Sequence, residues 1–173
     1  MELIIRQAEP GDFEAVQRIY AGHKAIAGTL QLPFPSLELW RKRLTEYPEV
    51  CHLLACADLE VVGHLGIHTF PQLPRRRHVG NLGMAVRDDW QGKGVGSALM
   101  QAAVSLAEGW LQLSRLELVV YTDNEPAIRL YKKVGFMIEG THRCYAFREG
   151  QFVDTYAMAR MSGENERRKG SSS

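Results

Sequence analysis

Hydrophobic and polar positions along the chain recur with two periods, and the switches between them mark out its elements. Leu3-Ile4-Ile5-Arg6-Gln7-Ala8 predicts a first strand. Gly11-Asp12 then opens a helix whose apolar positions Phe13, Val16, Ile19 and Tyr20 fall at helical spacing. Gly22, Gly28, Pro33 and Pro35 break that pattern, so residues 21–36 read as a long connection, a kind that often serves as a functional lid. A short helix is expected from Leu37 to Glu46. Val50–Ala57 and Glu60–Phe70 read as two strands about a tight Asp58-Leu59 turn. In the second of these, Leu65 and Ile67 take one face while His64, Gly66 and His68 take the other. Val79–Val86 is a further strand, and the glycines inside it, Gly80 and Gly83, predict a bulge or the close approach of a backbone or ligand.

After Arg87-Asp88-Asp89-Trp90 a glycine-rich opening leads into a helix with the apolar stripe Val95, Leu99, Ala103, Leu106 and Trp110. Arg115–Tyr121 reads as a strand with Leu116, Leu118 and Val120 on one face. Asp123-Asn124-Glu125-Pro126 opens a short helix that closes near Val134-Gly135. Phe136–His142 and Phe152–Met161 are the final strands, with a turn at Glu149-Gly150. Ser162–Ser173 holds no large apolar residue. The expected organisation is therefore a folded domain over 1–161 and a polar disordered tail or appended remnant over 162–173. Strands and helices mixed in this order make an α/β or α+β sheet domain.

Composition narrows the field without naming a function. The 173 residues are 45% apolar, enough for one sizeable core and too much for a disordered chain. Lys plus Arg number 21 and Asp plus Glu 20, a formal charge of +1, which argues against a nucleic-acid binder. The longest apolar run spans about five residues where roughly 20 are needed to cross a bilayer. The first residues carry no signal-peptide pattern, so a cytoplasmic protein without a membrane partner is expected. Cys51, Cys56 and Cys144, an odd set with no C-x-x-C pair, suit buried reduced thiols better than disulfides or zinc. His64 and His68 lie about 13 Å apart along a strand, too far to share a metal, and read as lining a polar groove. No metal site is expected. Arg75-Arg76-Arg77 reads as a solvated face, with a phosphate contact as the rival.

Gln91-Gly92-Lys93-Gly94-Val95-Gly96 sits between a strand and an amphipathic helix. Alternate glycines let successive N–H groups converge on one point, and the helix start adds unpaired N–H groups and its positive dipole end. Such a turn suits a phosphate or pyrophosphate. A Walker A loop is excluded because Gly94 follows Lys93, and G-x-G-x-x-G fails at Ser97 or Leu99. The pattern that fits is Q/R-x-x-G-x-G/A, carried by Gln91, Gly94 and Gly96. About thirty residues later comes Asn124-x-x-Ala127-x-x-Leu130-Tyr131-x-Lys133-x-Gly135-Phe136. With these two signatures the sequence resembles the GNAT superfamily of N-acetyltransferases. Further stretches, Thr29-Leu30-Gln31-Leu32-Pro33, Val62-Gly63-His64-Leu65 and Gly150-Gln151-Phe152-Val153-Asp154, look like the bacterial single-domain L-amino-acid N-acetyltransferases.

The resemblance implies a GNAT fold: a mostly antiparallel sheet of six or seven strands, splayed at strands 4 and 5 and flanked by about four helices. It implies acetyl-CoA as co-substrate, a small-molecule amine as acceptor, direct attack in a ternary complex, and a homodimer by analogy. Cofactor contacts map onto Met84, Ala85, Val86, Gln91, Gly92, Lys93, Gly94, Val95, Gly96, Ser97, Asn124, Ala127, Tyr131 and Lys133. Tyr131 would protonate the departing thiolate, and the Met84 N–H would polarise the acetyl carbonyl. Many relatives carry a glutamate where this chain has Asn81, which can position a water or amine but takes up no proton. His64, His68 and His78 are base candidates by chemistry, with a water chain as the alternative. The acceptor would lie among Gln31, Phe34, His64, Tyr145 and Tyr156, with Arg143 able to meet a carboxylate. Other readings are a protein N-terminus, an amine-bearing antibiotic or toxin, or a CoA-binding module with weak chemistry.

Overall fold

The computed structural model describes residues 2–163. Most of the polar segment expected to be disordered, from Glu164 on, lies outside that range. The strands are β1 (Leu3–Gln7), β2 (Val50–Ala57), β3 (Glu60–Thr69), β4 (Val79–Val86), β5 (Arg115–Tyr121), β6 (Met137–Arg148) and β7 (Gln151–Met161). The helices are α1 (Phe13–Tyr20), α2 (His23–Ala27), α3 (Leu37–Thr45), α4 (Val95–Gly109) and α5 (Glu125–Lys133). The seven strands follow the order β1-β2-β3-β4-β5-β7-β6. The β1/β2, β2/β3, β5/β7 and β6/β7 pairs are antiparallel, and β4/β5 is parallel over Val79–Asn81 and Arg115–Glu117. Among the described residues these five helices accompany the mixed sheet. The chain divides into two compact units, residues 1–68 with 83–103 and residues 69–82 with 104–173.

In the first unit, β2 and β3 pair from Val50↔His68 to Ala57↔Glu60 around Asp58 and Leu59, whose φ of 48° and 70° make the tight turn. Val16, Ile19 and Tyr20 of α1 are buried with Trp40 of α3, Leu54 of β2 and Ala85 of β4. Burial at this level is the main driving force for α1, worth about 1.5–3 kcal/mol per large apolar side chain. Asp12 before α1 is held by two Arg6 contacts of 2.7 Å and accepts the Glu9 N–H at 2.7 Å. Ser36 caps α3 by accepting the Leu39 N–H at 3.3 Å. The long 21–36 connection is not without structure. Asp88 accepts the N–H groups of Lys24 and Ala25 at 3.0 Å, which starts α2 inside it. Gly63 lets α4 approach β3, since a Cβ there would sit 2.8 Å from Val95 and 2.9 Å from Leu99.

In the second unit, β5 buries Leu116, Leu118 and Val120 as the alternation requires. β6 runs on to Arg148 rather than ending at His142. A bulge carries it past Cys144, whose φ is 49° and whose N–H donates to Asp154 at 2.8 Å. Gly135 (φ 93°) ends α5, and a Cβ there would collide with the Arg160 guanidinium, which donates to Val134 O at 2.8 Å. The expected stripe of α4 fails at Trp110, which lies beyond the helix end at Gly109 and is 83% exposed. Met100 and Ala107 are buried on α4 with Val95, Leu99 and Ala103.

Candidate active site

The first unit carries the glycine turn. Gly92 and Gly94 have φ of 75° and 85°, a region that favours glycine, and a Cβ on either would meet nothing within 4 Å. The space over the turn is therefore open. Gly96 has already entered α4. The first helical bond here joins Ala98 N–H to Gly94 O at 3.0 Å, so the N–H groups of Val95, Gly96 and Ser97 stand outside the helix ladder. Gln91 folds back to donate to Val86 O at 3.2 Å, fixing the turn to the end of β4. Arg87 N–H donates to Val62 O at 2.9 Å. The Arg87 guanidinium is committed to Asp89 (2.7 and 3.0 Å) and Glu60 (2.9 Å), and Lys93 lies 5.0 Å from the Trp90 ring centroid. An anion at this turn would be met chiefly by backbone N–H groups. Along β4, Ala85 is buried and Asn81, Met84 and Val86 are half-buried.

The same unit holds a buried polar chain. Tyr20 Oη lies 2.9 Å from His64 Nδ1, His64 Nε2 lies 2.9 Å from His52 Nδ1, and His52 Nε2 lies 3.0 Å from Arg43 O. A carbonyl only accepts, so His52 Nε2 carries a proton and its Nδ1 is an acceptor. His64 Nε2 must then donate, leaving Nδ1 to accept the Tyr20 O–H. Burial, with His52 nearby, pushes His64 down to about 3. His64 is 3% exposed and has both nitrogens engaged. It is a link in the interior rather than the wall of an open groove, and it cannot serve as the amine's base.

The second unit carries the other signature. Asn124 caps α5, its Oδ1 accepting the Ala127 N–H at 3.4 Å, and Pro126 occupies the first turn. Asn124, Ala127 and Tyr131 share one helix face by spacing. The Tyr131 ring packs 6.0 Å from Phe136, and burial pushes its phenol up to about 12. Its oxygen has no hydrogen-bond partner among the described residues and is not sealed in. Lys133 is exposed.

Residues 17–136 match the acetyltransferase (GNAT) family. The chain belongs to the GNAT family of acetyltransferases. It is 47% identical to the L-amino acid N-acetyltransferase AaaT of Escherichia coli (strain K12) over 160 residues, covering 92% of this chain and 98% of that one. A GNAT acetyltransferase structure from Streptococcus pneumoniae superposes with a TM-score of 0.80 at 29% identity, over 94% of this chain and 100% of the other. The Sinorhizobium meliloti phosphinothricin acetyltransferase, solved in complex with AcCoA, shares the fold at TM-score 0.85 and 22% identity, over 95% and 90%.

Within this GNAT chain the expected acceptor residues belong to both units, Gln31, Phe34 and His64 to the first and Arg143, Tyr145 and Tyr156 to the second. Gln31 is half-buried and accepts from Arg43 Nη1 at 2.6 Å, whereas Phe34 is 97% exposed with φ 59°. Arg143 is exposed, and Arg76 of the basic loop is paired with Glu117 at 2.7 Å. Tyr145 stacks on His142 at 4.9 Å. His142 pairs with Thr155 across the strands, and Tyr156, next along β7, points to the opposite face with its neighbours Val120 and Thr141. Tyr145 and Tyr156 therefore do not line one pocket. Sequence reasoning missed His142, whose pairing with Tyr145 depends on the β6 bulge. It also missed His52, which alternation alone marks as an ordinary strand residue.

Proposed function

We propose that this GNAT enzyme transfers the acetyl group of acetyl-CoA to the α-amine of an L-amino acid, by direct attack in a ternary complex. The observation that carries the reading is the 47% identity, over nearly the full length of both chains, to an L-amino acid N-acetyltransferase. The AcCoA complex of a protein with the same fold supports the co-substrate, and the open glycine turn fits its pyrophosphate. In this reading Gly92–Ser97 hold the pyrophosphate through N–H groups, and Met84, Ala85 and Val86 offer backbone groups to the pantetheine arm. Gln91 and Lys93 support the turn, and Asn124, Ala127 and Lys133 belong to the same binding set. The amine attacks the thioester carbon, the Met84 N–H takes up charge on the carbonyl oxygen, and the C–S bond breaks. Tyr131 then donates to the leaving sulfur. A phenol held near 12 is fully protonated at neutral pH, and its unpartnered oxygen leaves the proton free to give.

With His64 spoken for, the amine's proton leaves through water positioned by Asn81. An α-amine, with a reference value near 8, is partly neutral at pH 7 and needs no strong base. A homodimer working in the cytoplasm belongs to the same proposal. Its support is the edge position of β6 and the exposed apolar side chains Met137 and Phe147 there, with Phe152 on β7. The test is thiol release from acetyl-CoA with a panel of amino acids, amines and N-terminal peptides. Release with free L-amino acids supports the reading, and release with peptides or polyamines alone refutes it.

A further inference from the structure

Arginine in this chain is usually answered by a carboxylate, as at Arg6–Asp12, Arg87–Asp89 and Arg115–Glu139. Among the described residues Arg43 meets none, although it is half-buried. Arg75, Arg77 and Arg143 also lack an ion pair, but they are exposed, where water solvates the charge. A cation withdrawn from water normally has a counterion, because desolvation without one is costly.

The Arg43 side chain is nevertheless held in place. Its Nη1 donates to Gln31 Oε1 at 2.6 Å, and its guanidinium carbon lies 4.8 Å from the Trp40 ring centroid. A guanidinium has five N–H donors, of which Gln31 takes one. The nearby rings bring no negative charge: His52 and His64 are neutral links whose protons are ordered by the Arg43 carbonyl. Gly66 lets the His52 and His68 rings pack against β3, since a Cβ there would crowd them at 3.7 Å and 3.3 Å. Glu49 and Arg43 both act on His68, but among the described residues they form no ion pair with each other. A fixed, planar fork with no ion-pair partner beside the 21–36 connection suits a carboxylate from outside the protein.

We propose that Arg43 receives the α-carboxylate of the amino-acid acceptor, with Gln31 and Trp40 holding the guanidinium in position. The assignment rests on the amino-acid reading above. It explains how an acetyltransferase would tell an amino acid from a simple amine, which differs from it by that carboxylate.

The test compares L-methionine with L-methioninamide in wild type, Arg43→Gln and Arg43→Lys. Losing a charge-assisted contact to the carboxylate lowers kcat/KM for L-methionine by about 10- to 100-fold in Arg43→Gln, chiefly through KM. The amide and the KM for acetyl-CoA change by less than about 3-fold, and Arg43→Lys falls between. Equal losses on both substrates, or a loss on neither, overturn the assignment. Should Arg43→Gln fail to fold, ligand-induced stabilisation of wild type decides. L-methionine raises its melting temperature more than the amide does, and equal shifts overturn the proposal. A wild type that acetylates the amide but no free amino acid overturns the amino-acid reading itself.

Discussion

Replacing Tyr20 with Phe removes one oxygen from the buried imidazole chain and leaves the ring stacked on Trp40 at 4.3 Å. His64 Nδ1, which accepts the Tyr20 proton at 2.9 Å, then becomes a buried acceptor without that donor. Leaving such a group unsatisfied costs about 1–3 kcal/mol. For a chain of this size about 1 kcal/mol lowers the melting temperature by about 2–4 °C, so Tyr20→Phe should melt roughly 2–12 °C below wild type. Circular dichroism melts and urea titrations measure this directly. The urea slope should stay constant, since the surface exposed on unfolding is unchanged. Nitrogen-15 spectra of the imidazoles test the proton order independently, with His52 and His64 both expected as Nε2–H tautomers. A melting temperature within about 1 °C of wild type, or a proton on His64 Nδ1, would refute the reasoning.

Three further outcomes are expected. Tyr131→Phe should lower kcat by about 100-fold or more while leaving the melting temperature and the KM for acetyl-CoA nearly unchanged, because the hydroxyl has no hydrogen-bond partner among the described residues; steady-state kinetics with thiol detection measures the split. Gly22→Ala should destabilise by about 1–2 kcal/mol in urea titrations, because the new Cβ would sit 2.6 Å from Asp88 Oδ1 and displace the carboxylate that caps α2. Acid should weaken the fold through His64: its folded value of about 3 lies below the ordinary 6.5, so the unfolded state binds the extra proton. That stability is complete above about pH 6.5 and is lost progressively toward pH 3, well before the Arg6-held Asp12 carboxylate, whose loss starts near its ordinary 3.8. A pH series of denaturation midpoints that stays flat between pH 6.5 and 5 would contradict it.

The elements governed by local pattern were legible from the residues. β2, β4 and β5 match their expected bounds because alternation, interior glycines and flanking turns all lie within each segment. The glycine turn and the start of α5 were legible for the same reason, since positive-φ glycines and an Asn cap declare themselves in a few residues. What escaped depends on partners distant in sequence. α2 exists because Asp88, more than sixty residues on, supplies its cap. β6 outlasts its expected end because Asp154 anchors the bulge at Cys144. His64 looked available because periodicity assigns a face and says nothing of Tyr20 and His52 filling it. Tyr156 is grouped with Tyr145 because the resemblance puts the acceptor beside the last two strands, whereas the register with β5 and β6 sends it to the other face. Arg43 gave no signal at all, since an unpaired charge is visible only when every other pairing is known.

The most direct test of the account is mass spectrometry of the products formed from acetyl-CoA and individual L-amino acids. It predicts N-acetyl-L-amino acids in amounts equal to the CoA released, with lysine modified on its α-nitrogen. A protein that binds acetyl-CoA yet yields no acetylated free amino acid, or that places the acetyl on lysine's side-chain nitrogen, would contradict it.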